Sequence, residues 1–285
     1  MRPQPRALAL TLKVSRRCNA KTRCRSVIIF AMKPTYQIVG VVGAGAMGRG
    51  IAQIAAQAGS TVKLFDTQAA ALAQAIAAIG TQWDKLAEKN RITAEQATQY
   101  KANLQGVAQL SDLADCDLVI EAIVERLDVK RSLFSELETI VKPTAVLATN
   151  TSSLSVTAIA AALQRPEQFA GYHFFNPVPL MKVVEVIAGL KTNPTICQDL
   201  AAYAVQMGHK AVQAQDTPGF IVNHAGRGYG TEALRIVSEG IADFATIDRI
   251  LKDQVGFKLG PFELMDLTAL DVSHPVMESI YQQYY

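Results

Sequence analysis

The chain has 285 residues, 49% of them hydrophobic and 19% charged, a balance that suits one large or two smaller globular domains and excludes a disordered chain. No apolar stretch is long enough to span a bilayer as a helix. Nine of the 28 basic residues fall within residues 1–35 with no acid among them, which leaves 19 basic residues against 25 acids in a mildly acidic body, so the charge offers no argument for nucleic-acid binding.

Residues 1–35 are expected to lie outside the fold. They are read either as an organelle-targeting leader or, the favoured reading, as an over-long start with Met32 as the true initiator. Cys18, Cys24, Cys116 and Cys197 form no C-x-x-C pair, and no histidine spacing completes a zinc site. Reduced thiols in the cytoplasm are therefore expected, with no metal; a mitochondrial matrix location follows instead if the leader is a targeting segment.

From Gln37 the pattern changes. Ile38–Val42 reads as a buried parallel strand, followed by Gly43-Ala44-Gly45-Ala46-Met47-Gly48 and a helical pattern that ends at Gly59. Thr61–Phe65 reads as a second strand, closed by Asp66. This is a G-x-G-x-x-G fingerprint in its strand–turn–helix setting. The first glycine allows the turn, the second lets backbone approach a pyrophosphate, and the third lets helix and strand pack closely. Asp66 stands where a carboxylate binds a ribose 2′-hydroxyl, and Thr67 follows it rather than an arginine, so NAD is favoured over NADP.

Gln68–Lys89 and Thr93–Ala102 read as a helical hairpin projecting from the sheet. Lys85 and Lys89 share one face and could attract an anionic substrate tail, although a solvated face explains them equally well. Leu118–Glu121 and Ala145–Thr149 read as strands flanking a helix at Val129–Val141. Asn150-Thr151-Ser152-Ser153 precedes a helix at Val156–Leu163, a position that suits either N-capping or ligand contact. Phe169–Phe175 is an aromatic-rich strand stopped by Asn176-Pro177-Val178-Pro179, which leaves His173 near a strand end. Met181–Ile187 is a β-branched strand with one acid, Glu185. Such a carboxylate is costly unless paired, and His173 is the obvious partner. A carboxylate fixes an imidazole's tautomer and supports its basicity, as a general base requires. Thr192–Met207 reads as a helix and Ala211–Ala214 as a short strand. Beyond the boundary at Asp216-Thr217-Pro218-Gly219, helices are expected at Phe220–Glu239, Thr246–Val255, Pro261–Leu270 and Pro275–Tyr284. The expected architecture is α/β, a doubly wound and mostly parallel Rossmann sheet over residues 36–216, followed by a smaller all-α domain over residues 217–285.

These motifs together resemble the L-3-hydroxyacyl-CoA dehydrogenases. The likeness is carried by Gly43–Gly48, Ile120–Glu125, Asn150–Leu154, Gly171–Pro179, Lys182–Ile187, Asp216–Asn223 and Gly260–Leu267, in that order. It implies that His173 is the general base for a substrate 3-hydroxyl and that Glu185 pairs with it. Ser152 and Asn223 would bind the reacting oxygens or the thioester end. Hydride would pass from C3 to NAD held on Gly43, Gly45, Ala46, Met47, Gly48 and Asp66, with Glu125, Lys130, Ser152 and Asn176 as further cofactor contacts. Lys89 is a weaker match for a coenzyme A contact. An acyl-CoA substrate and a homodimer formed through the helical domain are implied as well.

The sequence departs from the family in three places. The basic leader has no counterpart. The position after Asn223, usually arginine, is His224, and Gly226, Gly228 and Gly230 follow it, each costing roughly 1 kcal/mol against alanine inside a helix. This variant is similar to bacterial members of phenylacetate breakdown, whose substrate resembles 3-hydroxyadipyl-CoA. Finally, the family continues past the position of Tyr285, so a fragment or an incomplete helical domain is expected.

Overall fold

The computed structural model describes residues 34–284. The expected leader, with Cys18 and Cys24, lies outside the described residues apart from its last two positions. β1 (Ile38–Val42) sends alternate side chains to opposite sides of the sheet, Val39 and Val41 into one apolar layer and Val42 into the other. α1 (Ala46–Gln57) covers the first layer with Ile51, Ile54 and Ala55, and β2 (Thr61–Phe65) then pairs parallel with β1. α2 (Ala69–Glu88) and α3 (Ala94–Ala102) form the hairpin, anchored by Ala75, Ile79, Trp83 and Ala97 in the same layer as α1. A reciprocal capping box between Thr93 and Gln96 sets the start of α3.

One strand was not expected. Leu104–Val107 forms β3, pairing parallel with β2 at the sheet edge. Its sequence, Leu-Gln-Gly-Val, lacks the β-branched alternation that marks a strand. Gly106 also leaves room for α2: a Cβ there would lie 2.7 Å from Ile76 Cδ1.

β4 (Leu118–Glu121), α4 (Leu127–Ile140), β5 (Val146–Thr149), α5 (Val156–Ala160) and β6 (Phe169–Phe174) continue the parallel winding. β7 (Val183–Ala188) turns back antiparallel to β6, and β8 (Lys210–Gln215), which follows α6 (Pro194–Gln206), pairs parallel with β7. The sheet order is β3-β2-β1-β4-β5-β6-β7-β8. The order reverses between β1 and β4, the switch point where open α/β sheets bind ligands.

The remaining segment is helical: α7 (Val222–Ser238), α8 (Phe244–Asp253), α9 (Pro261–Thr268) and α10 (Leu270–Tyr284). The last helix starts before the expected Pro275, which sits inside it. A proline there forgoes one backbone bond, yet the helix continues through it. Asp248 is buried and accepts the N–H groups of Phe262 (2.9 Å) and Glu263 (3.1 Å), which ties α8 to the start of α9. The doubly wound, mostly parallel sheet with its helical hairpin and helical C-terminal domain is the architecture expected from the sequence. No helix among the described residues is long and apolar enough to cross a membrane.

Candidate active site

The glycine turn opens the site. Gly43 has φ +105°, and a Cβ there would lie 2.5 Å from the Ala122 carbonyl oxygen. A Cβ on Gly48 would lie 1.8 Å from the Gly43 carbonyl oxygen, so both positions require glycine. Gly45 differs: nothing lies within 4 Å of its Cβ position. Gly45, Ala46 and Met47 are open or half-open, and the start of α1 carries no side-chain cap. Its first-turn N–H groups therefore face free space, which is what a pyrophosphate needs. Asp66 ends β2 and accepts from Ala44 N (2.7 Å) and Gln68 N (2.8 Å), which holds its carboxylate beside the turn with acceptor capacity to spare. These residues fit a dinucleotide.

A buried ionic cluster stands next to the turn. Glu121 is fully buried at the end of β4 and accepts from Lys130 Nζ (2.5 Å), Thr149 Oγ1 (2.7 Å) and Ile123 N (2.7 Å). Lys130 is buried too, and its Nζ also lies 3.2 Å from Glu125 Oε2. Lys130 thus reaches the site through two carboxylates rather than as an open cation. Glu125 Oε1 accepts from Thr151 Oγ1 (2.5 Å), Ser152 N (2.8 Å), Ser153 N (3.1 Å) and Ser153 Oγ (3.1 Å). Burial works against its charge, but Lys130 and the hydrogen bonds from Thr151 and Ser152 prevail and hold its carboxyl below the usual range. The role of the polar run is therefore divided. Thr151 and Ser153 close around Glu125, Asn150 Oδ1 accepts Phe174 N (2.9 Å), and Ser152 is left half-exposed with its hydroxyl 3.4 Å from Glu125.

The third part is the histidine. His173 and Glu185 are direct partners across the β6–β7 pair, so both side chains leave the same face. His173 Nδ1 lies 2.7 Å from Glu185 Oε2, and the ring centroids of Phe175 and Phe220 lie 4.4 and 5.8 Å from that of the imidazole. Glu185 has more partners than the expected imidazole. Its Oε1 accepts the N–H groups of Ile221 and Val222, both at 2.9 Å, at the start of α7. A helix N-terminus favours a negative charge. Burial alone would raise the Glu185 carboxyl, yet the His173 hydrogen bond and the two α7 amides hold it below its ordinary value. Nδ1–H then donates to the carboxylate, which leaves Nε2 as the lone-pair nitrogen. Nε2 makes no hydrogen bond among the described residues.

α7 also brings Asn223 in: its Nδ2 donates to the Ser152 carbonyl at 3.1 Å. His173, Glu185, Ser152 and Asn223 therefore stand together at the carboxyl ends of β5 and β6. Asn176 is exposed after β6, with a cis bond to Pro177. Lys89 is exposed where α2 ends and shares no contact with this group.

Sequence reasoning missed several supports of the site. Glu121 closes an otherwise apolar strand, the same signal that singled out Glu185, and could have been found that way. Asp216 accepts from Ser155 Oγ (2.8 Å), Val156 N (2.9 Å) and Thr157 N (2.7 Å), and so caps α5 rather than only marking a boundary. Gly50 lets Val178 seat on α1, since a Cβ there would lie 2.7 Å from Val178 Cβ. A His209 ring nitrogen lies 3.0 Å from the Val178 carbonyl and fixes the same turn from behind. No local pattern announces these last two contacts.

A family model described as the 3-hydroxyacyl-CoA dehydrogenase NAD binding domain matches residues 38–217, and one described as the C-terminal domain of the same family matches residues 219–285. The chain is 43% identical over 254 residues to a 3-hydroxyadipyl-CoA dehydrogenase of Escherichia coli (strain K12), covering 89% of this chain and 54% of that protein, so it spans about half that relative's length. It is 40% identical over 251 residues to a 3-hydroxybutyryl-CoA dehydrogenase of Bradyrhizobium diazoefficiens, covering 88% of this chain and 86% of that one. Among solved structures, an (S)-3-hydroxybutyryl-CoA dehydrogenase from Ralstonia eutropha superposes with a TM-score of 0.85 at 36% identity, covering 87% and 88% of the two chains.

Proposed function

The chain belongs to the 3-hydroxyacyl-CoA dehydrogenase family, and we propose that it transfers a hydride between C3 of an L-3-hydroxyacyl-CoA and NAD. The observation that carries this reading is the His173–Glu185 pair. It is anchored on the first amides of α7, its Nε2 has no hydrogen bond among the described residues, and β6 ends on the same edge of the sheet as the glycine turn that fits a dinucleotide.

When bound, NAD supplies the hydride acceptor and its reduced form the donor. The protein supplies the proton chemistry. His173 Nε2 takes the proton of the 3-hydroxyl, and an alcohol carbon releases hydride readily only as that proton leaves. Glu185 stabilises the imidazolium that forms and keeps Nδ1 protonated throughout. In the reverse direction the protonated His173 is the acid. The half-exposed Ser152 hydroxyl is proposed to hydrogen-bond the reacting oxygen, with Asn223 fixing the Ser152 backbone and facing the thioester end. Glu125 is proposed to set the turn that presents Ser152 to cofactor and substrate alike. The rings of Phe175 and Phe220 exclude water from the imidazole.

Lys89 is proposed as a coenzyme A contact on the hairpin. The helical domain leaves Phe244, Leu267 and Leu270 at 54%, 72% and 62% exposure, which supports a homodimer through that domain. Cys116 and Cys197 are buried free thiols, in keeping with the reducing cytoplasm. Adipyl ends in a carboxylate and butyryl does not, so the two relatives differ in tail chemistry. The test is NADH oxidation by the purified chain with a panel of 3-oxoacyl-CoA thioesters. Turnover of at least one is expected, and binding of NADH without turnover of any would overturn the reading.

A further inference from the structure

α7 carries more than the anchor of Glu185. Its first amides hold Glu185, and Asn223 holds Ser152. The residue four positions beyond Asn223 is Arg227, on the same helix face and about 6 Å further along the axis. Arg227 is half-buried, and it has no carboxylate partner among the described residues. Its guanidinium sits 5.2 Å from the centre of the Tyr284 ring, a cation–π contact that orients the fork without neutralising it.

That ring is itself fixed to the site. Tyr284 OH lies 3.0 Å from His224 Nδ1, and the neighbouring Gln283 Nε2 donates to the Ser153 carbonyl at 2.9 Å. Ile280, one turn back on α10, is buried against Gly219, where a Cβ would come within 2.7 Å of it. The last turn of α10 thus joins the Ser152 turn to the Arg227 face.

The glycines beside Arg227 complete the picture. Inside a helix glycine is unfavourable, and packing explains only one of the three. A Cβ on Gly230 would lie 2.8 Å from Met265 Cε, whereas Gly226 and Gly228 have nothing within 4 Å of their Cβ positions. The two positions next to Arg227 in sequence thus leave open space on the helix surface.

We propose that Arg227 binds a carboxylate at the far end of the acyl chain, which makes acyl-CoA thioesters that end in an acid the preferred substrates. This rests on the dehydrogenase reading above and adds the residue that selects the tail of the substrate. Arginine suits the task because its planar fork takes a carboxylate through two hydrogen bonds and stays charged at every working pH. A neutral chain of equal length offers no such partner. Hydrogen bonds between charged groups are worth enough for a preference of about 10- to 100-fold.

The test compares 3-oxoadipyl-CoA with 3-oxohexanoyl-CoA, which has the same number of acyl carbons and a methyl end. Initial rates of NADH oxidation are measured for the full chain and for Arg227→Ala and Arg227→Lys, with NADH binding and thermal melting recorded for each. The unsubstituted chain is expected to show the higher kcat/KM for the acid thioester. Arg227→Ala should lower kcat/KM for that substrate about 10- to 100-fold more than for the neutral one, mainly through KM, and Arg227→Lys should restore part of the difference. Equal kcat/KM for the two thioesters, or an equal fall of both in Arg227→Ala, would overturn the carboxylate site while leaving the dehydrogenase reading standing. If neither thioester is reduced although NADH binds, the dehydrogenase reading itself falls and takes the site with it.

Discussion

Glu121 and Glu185 are both buried carboxylates in β-branched or apolar strands, and both accept hydrogen bonds to each oxygen, yet they do different work. Glu121 meets an ammonium, a hydroxyl and a backbone amide, all donors with nothing further to exchange. Lys130 is enclosed with it. Glu185 meets two backbone amides and one imidazole, and that imidazole has a second nitrogen with no hydrogen bond among the described residues. The first arrangement is closed and holds a turn in place. The second leaves one atom able to take and return a proton. Burial makes a carboxylate demand partners in either case; the remaining valence of the partner decides whether the pair can act.

Substitutions can break this contrast. The largest expected effect is His173→Gln, which should reduce turnover by about 10²–10⁴-fold, the worth of general acid–base catalysis. NADH binding, measured by fluorescence titration, should be nearly unchanged; wild-type turnover would remove His173 from the mechanism. Lys130→Met should act on the fold instead. It strands Glu121 in the interior, at a cost of about 3–5 kcal/mol, read as a lower urea midpoint. A midpoint close to wild type would show that the Glu121 cluster is not closed as described.

Glu185→Gln should have a smaller effect of a different kind. The amide can still accept from Ile221 and Val222, so the fold should survive. Its NH₂ group can only offer a donor to Nδ1, however, which moves the ring proton to Nε2 and spoils the base. The rate should fall and the pH–rate profile should shift; a profile that superposes on wild type would refute the pair.

The smallest effect concerns acid stability. The carboxyls of Glu125 and Glu185 are held below their ordinary values in the folded chain. Groups depressed on folding contribute stability that is complete above the unfolded value of about 4.3 and is lost as pH falls through the folded value. Unfolding midpoints measured between about pH 6 and 3 should therefore decline, and Glu125→Gln should flatten that decline. An equally steep decline in the variant would show that Glu125 contributes none of it.

Much of the fold was legible because its signals are local. β1, β2, β4 and β5 announce themselves as β-branched or apolar runs, and Gly43–Gly48 with Asp66 specifies a strand, turn and helix by steric need. β3 was not legible, because Leu104–Val107 becomes a strand only by pairing with β2 and by letting Gly106 pass under Ile76. The site shows the same division. A lone acid among β-branched residues pointed to His173, and the register of β6 against β7 places the two directly opposite. The α7 amides on Glu185, the Ser152 carbonyl under Asn223 and Val178 seated on Gly50 join residues 36, 71 and 128 positions apart in the chain.

By itself the sequence determined the dinucleotide turn, the alternation of strands and helices, and the His173–Glu185 pair, since each rests on sterics or desolvation within a few residues or between adjoining strands. Only the tertiary structure decided what closes around them. Helix starts supply charge to distant carboxylates, Lys130 is enclosed between Glu121 and Glu125, and Arg227, one turn from Asn223, has no carboxylate partner among the described residues. These outcomes depend on where separate elements come to rest, because hydrogen bonding and burial act on distance in space rather than along the chain.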